Sequence, residues 1–141
     1  MKALSIRAPW WWMILHAGKR IENRDWRGAP SYRGPLLIHA SKWYRPEEIQ
    51  EAHASVSPLV EAWPKNEDGP MPSLALYQVM RGGIVGICDL VDVRRNTGAD
   101  PWEVPGSLGL VLANPRPLPF VPFKGALGFF DVPDAIMRGV L

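Results

Sequence analysis

Between Asn114 and Phe123 four of ten residues are proline, and no other stretch of this chain restricts its conformation as much. Proline fixes φ and carries no N–H, so the run is expected to form neither a helix nor a central strand. It is expected to wrap the body of the fold as extended coil. The rest of the chain is cut into short pieces by the same kind of punctuation.

Period and punctuation define those pieces. Lys2 to Arg7 alternates as a strand does and ends before Pro9, whose fixed φ suits the first turn of a helix. Trp10 to Ala17 is that helix, stopped by Gly18. Trp10, Met13, Ile14 and Ala17 fall on one helical face and are the expected core contact. Trp11 or Trp12 must then look elsewhere, free to stack on a base. Arg20 to Trp26 reads as a charged strand, followed by a loop with Gly28, Pro30 and Gly34. Leu36 to Ser41 is apolar on both faces, as a central strand is.

Pro46, Glu47 and Glu48 open a second helix in accord with the helix dipole. It runs to about Ala54 or, past a kink or break at Pro58, to Trp63. A polar insertion covers Trp63 to Pro72, and Ser73 to Met80 is a short helix before the Gly82-Gly83 turn. Ile84 to Val93, continuing toward Arg95, and Leu108 to Ala113 are strands. The Gly- and Pro-containing loop between them is read as a flexible rim. Lys124 to Phe130 is expected to close the sheet. Five or six short strands with two or three helices describe one α+β domain over residues 1–141, built around a curved sheet or small barrel.

With 47% apolar residues and seven Trp, 141 residues suffice for a full hydrophobic core. No stretch reads as a membrane span or signal peptide. The single Cys88, in the apolar run from Ile84 to Val91, has no partner for an internal disulfide and reads as a buried thiol in a cytoplasmic protein.

Charge is unevenly spread. Residues 1 to 45 hold nine Lys or Arg against Glu22 and Asp25, a net +7, while the remainder is −5. This asymmetry points to a local basic surface suited to a polyanion; the bland alternative is solubility charge that fell this way. Within that third, Arg20, Glu22 and Arg24 recur at every second position, which in a strand puts all three on one face. Arg24 can present a planar two-donor fork to phosphate or a guanine edge, and Lys19 a mobile point charge. Glu22 can orient either one or accept from a base amine. The rival reading is a surface ion-pair lattice worth little.

Ser5 and Arg7 alternate on the first strand and are placed on the same cleft, with a rim salt bridge as the alternative for Arg7. Trp26 is a candidate for base stacking, with packing under the loop as its rival. Tyr32 and Arg33 form a loop pair able to contact a nucleic-acid backbone, and Lys42 and Lys124 are weaker electrostatic candidates. His39 reads as a satisfied buried imidazole. His16, His39 and His53 lie far apart with no metal-ligand motif, so neither a metal nor a cofactor is implied. Phosphate-loop glycines are absent, and without a G-x-S-x-G elbow the sequence gives no support for an activated serine.

Leu4 to Trp10, Gly18 to Trp26, Tyr32 to Ser41, Asn114 to Pro119 and Lys124 to Gly128, in that order, resemble the ASCH domain family. The resemblance implies a PUA-like fold, a β-barrel flanked by helices, and a module that binds RNA or single-stranded nucleic acid, a modified nucleoside included. The family signature Gly-x-Lys-x-x-Glu-x-Arg falls on Lys19, Glu22 and Arg24. Gly18 stands next to Lys19, and Ala17 occupies the expected glycine position, implying a helix end shortened by one residue.

Small bacterial members hydrolyse the acetyl amide of 4-acetylcytidine with a lysine, a threonine and a distal glutamate, and some related members have been reported to cleave RNA. Lys19 matches that lysine, but Glu22 occupies the threonine position. An amidohydrolase or ribonuclease using Lys19 and Glu22 is therefore the alternative to binding, and a protein-interaction adaptor the third reading. Glu22 stabilises the Lys19 ammonium and so opposes its use as a base.

Overall fold

The structure is a computed structural model that describes residues 1–62 and 71–141. The element order is β1 (Lys2–Ile6), α1 (Trp10–His16), β2 (Ile21–Arg24), β3 (Gly34–Ala40), α2 (Pro46–Ala62), α3 (Leu74–Val79), β4 (Gly83–Arg95), β5 (Leu108–Pro122), β6 (Phe129–Asp131) and α4 (Asp134–Met137). Most of the expected 63–72 insertion, and the proposed helix end at Trp63, lie outside the described residues. α2 carries Pro58 within it and continues to Ala62.

The six strands form one sheet in the order β2-β5-β4-β3-β1-β6. β1 and β3 run parallel and all other neighbours antiparallel. The expected α+β class holds, with four helices among the described residues where two or three were expected, but the expected β-barrel does not form. A barrel pairs every edge; here β2 bonds only β5, β6 bonds only β1, and these edge strands are four and three residues long. Among the described residues nothing closes the sheet.

Apolar packing covers both faces of the sheet instead. Successive strand residues point to opposite faces. Leu4, Ile6, Leu36, Ile38 and Ala40 accordingly join the larger core with α1, Ile49 and Val56, whereas Ala3 and Leu37 pack with Ile84, Leu118, Val132 and Met137. The apolar run of β3 has this cause, since the strand lies between β4 and β1 and serves both cores. Leu36, Leu37 and Ile38 are fully buried, and each contributes about 1.5–3 kcal/mol relative to exposure.

Two further expectations are corrected. α1 is buried beyond one face: Trp11 and Trp12 are both in the core, Trp11 edge-on to Tyr77 of α3 at 5.8 Å, so neither is free to stack on a base. The proline run is not coil but the second half of β5, paired with β4 as far as Pro122. Pro115, Pro117 and Pro119 recur at every second residue, which puts their missing donors along one edge of an extended strand. β2 covers that edge only between Leu108 and Val111, and register shifts in the β4 ladder absorb the remaining mismatch.

Candidate functional site

The end of α1 sets the site. Gly18 takes a φ of +75°, a left-handed turn that glycine adopts without a Cβ clash. It brings the Lys19 N–H back to the Met13 carbonyl at 3.1 Å, beside the Ala17 N–H on the same oxygen at 3.0 Å. Lys19 is thereby turned inward and is 3% exposed. Its Nζ donates to the Ile21 carbonyl and to Glu22 Oε1 at 3.1 Å. Arg24, two residues along β2, forms an ion pair through Nη2 with Glu22 Oε2 at 3.0 Å and donates to the Ser5 carbonyl at 2.9 Å.

One side chain therefore spans from β2 to β1 although three strands separate them in the sheet order. The cleft lies at this gap. It has a volume of about 580 Å³ and is walled by Ser5, Arg7 and Trp10, by Glu22 to Asp25, and by the loops bearing Val104 and Leu127. This is within the usual range for ligand sites, about 300–1,000 Å³. A neighbouring cavity of about 360 Å³ shares Trp10, Glu22, Asn23 and Val104 and adds Lys19, Leu59 and Trp102.

The predicted residues separate into two groups. Arg7, Glu22 and Arg24 line the main cleft, and Lys19 lines its neighbour. Trp26, Tyr32, Arg33, Lys42 and Lys124 line neither. Trp26 is half-buried and packs edge-on to Phe129 at 5.4 Å, with Arg24 over its ring at 5.6 Å. Tyr32 donates to the Pro35 carbonyl and its ring meets Phe129. Arg33 binds the Pro30 and Tyr32 carbonyls. Arg20 leaves the trio for Asp100 at 2.7 Å, because β2 begins only at Ile21.

The linear charge asymmetry is partly cancelled in space, where Lys2 pairs with Asp131 and Arg20 with Asp100. In the cleft itself Arg7 and Arg24 face Glu22 and Asp25, so fixed direction of charge, more than net charge, distinguishes it. Burial pulls the Lys19 ammonium below its ordinary range while the Glu22 carboxylate acts against that. Among the described residues the buried Arg24 Nε has no hydrogen-bond partner.

Asn23 was not singled out from sequence, yet it anchors the cleft's third wall. Its Oδ1 accepts from Asn96 Nδ2 at 2.8 Å and from the Val104 N–H at 2.9 Å, and its Nδ2 donates to the Trp102 carbonyl at 3.0 Å. Glu103 accepts from the Thr97 and Gly98 N–H groups and from Arg94. The loop from Asn96 to Gly106, expected as a flexible rim, is thus pinned at both ends. The only available signal was an amide side chain between Glu22 and Arg24 in the charged strand.

An open α+β sheet with a buried Lys19–Glu22 pair and a half-buried Arg24 at one edge defines the class, and comparison with known families agrees. The ASCH domain model matches residues 4–114, and the chain belongs to the ASCH domain family, part of the PUA-like superfamily generally associated with nucleic-acid binding. No curated protein matches the chain. Among the described residues no helix is long and apolar enough to cross a membrane, and no cluster of three or more His, Cys, Asp or Glu could hold a metal ion.

Proposed function

We propose that the cleft binds RNA or single-stranded nucleic acid, taking one nucleotide between Arg24, Arg7 and the half-buried face of Trp10. The fixed guanidinium of Arg24 carries this reading. Held by Glu22 at 3.0 Å and by the Ser5 carbonyl at 2.9 Å, it loses little entropy on meeting a phosphate or base edge. Glu22, with Oε1 accepting from Lys19 and Oε2 paired with the Arg24 charge, keeps lone pairs for a base amine. A cytosine or guanine, modified or not, fits that donor and acceptor pair.

The other two readings have less support. Lys19 Nζ is engaged by a carboxylate and a carbonyl, an arrangement that suits an ammonium locking Glu22 in place better than a general base. The adaptor reading required an exposed Trp surface, whereas Trp11, Trp12 and Trp102 are buried.

Anisotropy titrations of labelled RNA and single-stranded DNA over a salt series, for wild type and Arg24→Ala, test the proposal. Loss of Arg24 is expected to weaken binding by about 1–3 kcal/mol and to lower the log–log salt slope by about one. Unchanged affinity and slope in a folded Arg24→Ala protein would remove the cleft as the binding site.

A further inference from the structure

Ser5 and His39 are register partners on the parallel strands β1 and β3, and their side chains meet, Oγ to Nδ1, at 3.0 Å. The other ring nitrogen, Nε2, lies 2.7 Å from the Phe123 carbonyl. A carbonyl only accepts, so Nε2 carries the proton, Nδ1 presents its lone pair, and the Ser5 hydroxyl is the donor. A hydroxyl, an imidazole base and a third group fixing the tautomer are the elements by which a serine is activated. His39 is 1% exposed, whereas Ser5 is half-buried and opens onto the main cleft.

The surroundings fit chemistry at Ser5. A Cβ at Gly125 would stand 2.7 Å from His39 Cε1 and 3.2 Å from Ser5 Oγ, so the 124–128 loop roofs the pair and only glycine lets it approach so closely. Arg24 donates to the Ser5 backbone carbonyl, and Arg7 and Arg24 line the same cleft as Ser5.

We propose that Ser5 and His39 form a nucleophile and base that cleave an ester whose anionic alcohol half is held by Arg7 and Arg24. Ser5 Oγ adds to the ester carbonyl carbon while its proton passes to His39 Nδ1, and the carbonyl electron pair moves to oxygen beside Arg24. Collapse breaks the bond to the alcohol, which leaves with the proton from Nδ1, and Ser5 is acylated. Water then adds with Nδ1 as base, the Oγ–carbon bond breaks, and the carboxylic acid and the Ser5 hydroxyl are released. Nε2–H stays on Phe123 throughout.

Reaction of the full chain with p-nitrophenyl acetate, read by p-nitrophenolate release and peptide mass mapping, tests this. An acetyl group is expected on Ser5, with release lost in Ser5→Ala and slowed about 100-fold in His39→Gln. A hydrogen bond that serves only to join β1 to β3 would leave Ser5 unmodified, with acetyl groups confined to amines and release equal in Ser5→Ala; that result overturns the proposal. Should His39→Gln fail to fold, Ser5→Cys gives an independent measurement. Its thiol is expected to react with iodoacetamide at pH 6 faster than free cysteine, and an equal or slower rate counts against the pair. Cys88 is buried and its thiol pushed up to about 12, so it does not contribute.

Discussion

Lys19 Nζ and Glu22 Oε1 lie 3.1 Å apart, with side chains only 2% and 8% exposed. Removing one member of a buried pair strands the other charge, which costs about 3–5 kcal/mol, whereas replacing both with apolar groups can be nearly neutral. Lys19→Met and Glu22→Leu are therefore each expected to destabilise strongly, and the double variant by much less than their sum. Urea denaturation of the four proteins gives the coupling. Additive losses would mean that the two charges do not hold each other.

Cations on the cleft and cations elsewhere should differ in binding. Arg7 lines the cleft, whereas Arg33 is spent on the Pro30 and Tyr32 carbonyls and Lys42 lays its stem along Gly82. Arg7→Ala is expected to lower the salt slope for oligonucleotide binding by about one, with Arg33→Ala and Lys42→Ala close to wild type. Trp10→Ala should cost about 1–3 kcal/mol if a base stacks there. Equal effects from all three cations would indicate diffuse attraction in place of a cleft.

What sequence could and could not convey follows from the range of each interaction. The apolar run of β3 and the Lys19, Glu22 and Arg24 spacing are local patterns, and the fold uses both. The pairing of Ser5 with His39 depends on which strands become neighbours, and no local period encodes that. β5 was misread for a different reason. Four prolines weigh against a strand when counted, but three of them, Pro115, Pro117 and Pro119, stand at alternate positions beside a short β2 and load one edge. Trp11 and Trp12 were misjudged because α1 is enclosed by the sheet and α3, which a single-face rule cannot anticipate.

Asn23 ties β2 to the loop from Asn96 to Gly106 through Asn96, Trp102 and Val104. Asn23→Leu keeps side-chain size but removes the acceptor of the exposed Val104 N–H and one of the two acceptors of Asn96 Nδ2, which keeps Ser107 Oγ, a loss of about 0.5–1.5 kcal/mol per hydrogen bond. Hydrogen exchange is expected to show the Val104 amide losing protection while the β3 and β4 amides keep theirs. Unchanged exchange at Val104 would show that the Glu103 and Asp100 contacts hold the loop without Asn23.

Acid should weaken the fold in two separate ranges. Burial depresses His39, despite its bond to Phe123, and also depresses His53. Each is neutral in the folded chain at pH values where the unfolded chain is already protonated. The unfolded state then binds more protons, so stability falls as pH drops from the ordinary histidine range, about 6.5, through the folded values, and levels below them. Glu103 behaves in the usual carboxylate sense. The Gly98 and Thr97 N–H groups and Arg94 hold it below its ordinary range, so its contribution is complete above that range and is lost as pH falls through the depressed value. Melting temperatures from pH 8 to pH 3 should therefore decline in two steps. Glu103→Gln should reduce only the lower one, and a His53→Gln, His39→Gln series should reduce the upper one progressively. A flat profile between pH 7 and pH 5 would show that neither imidazole is held neutral by its burial.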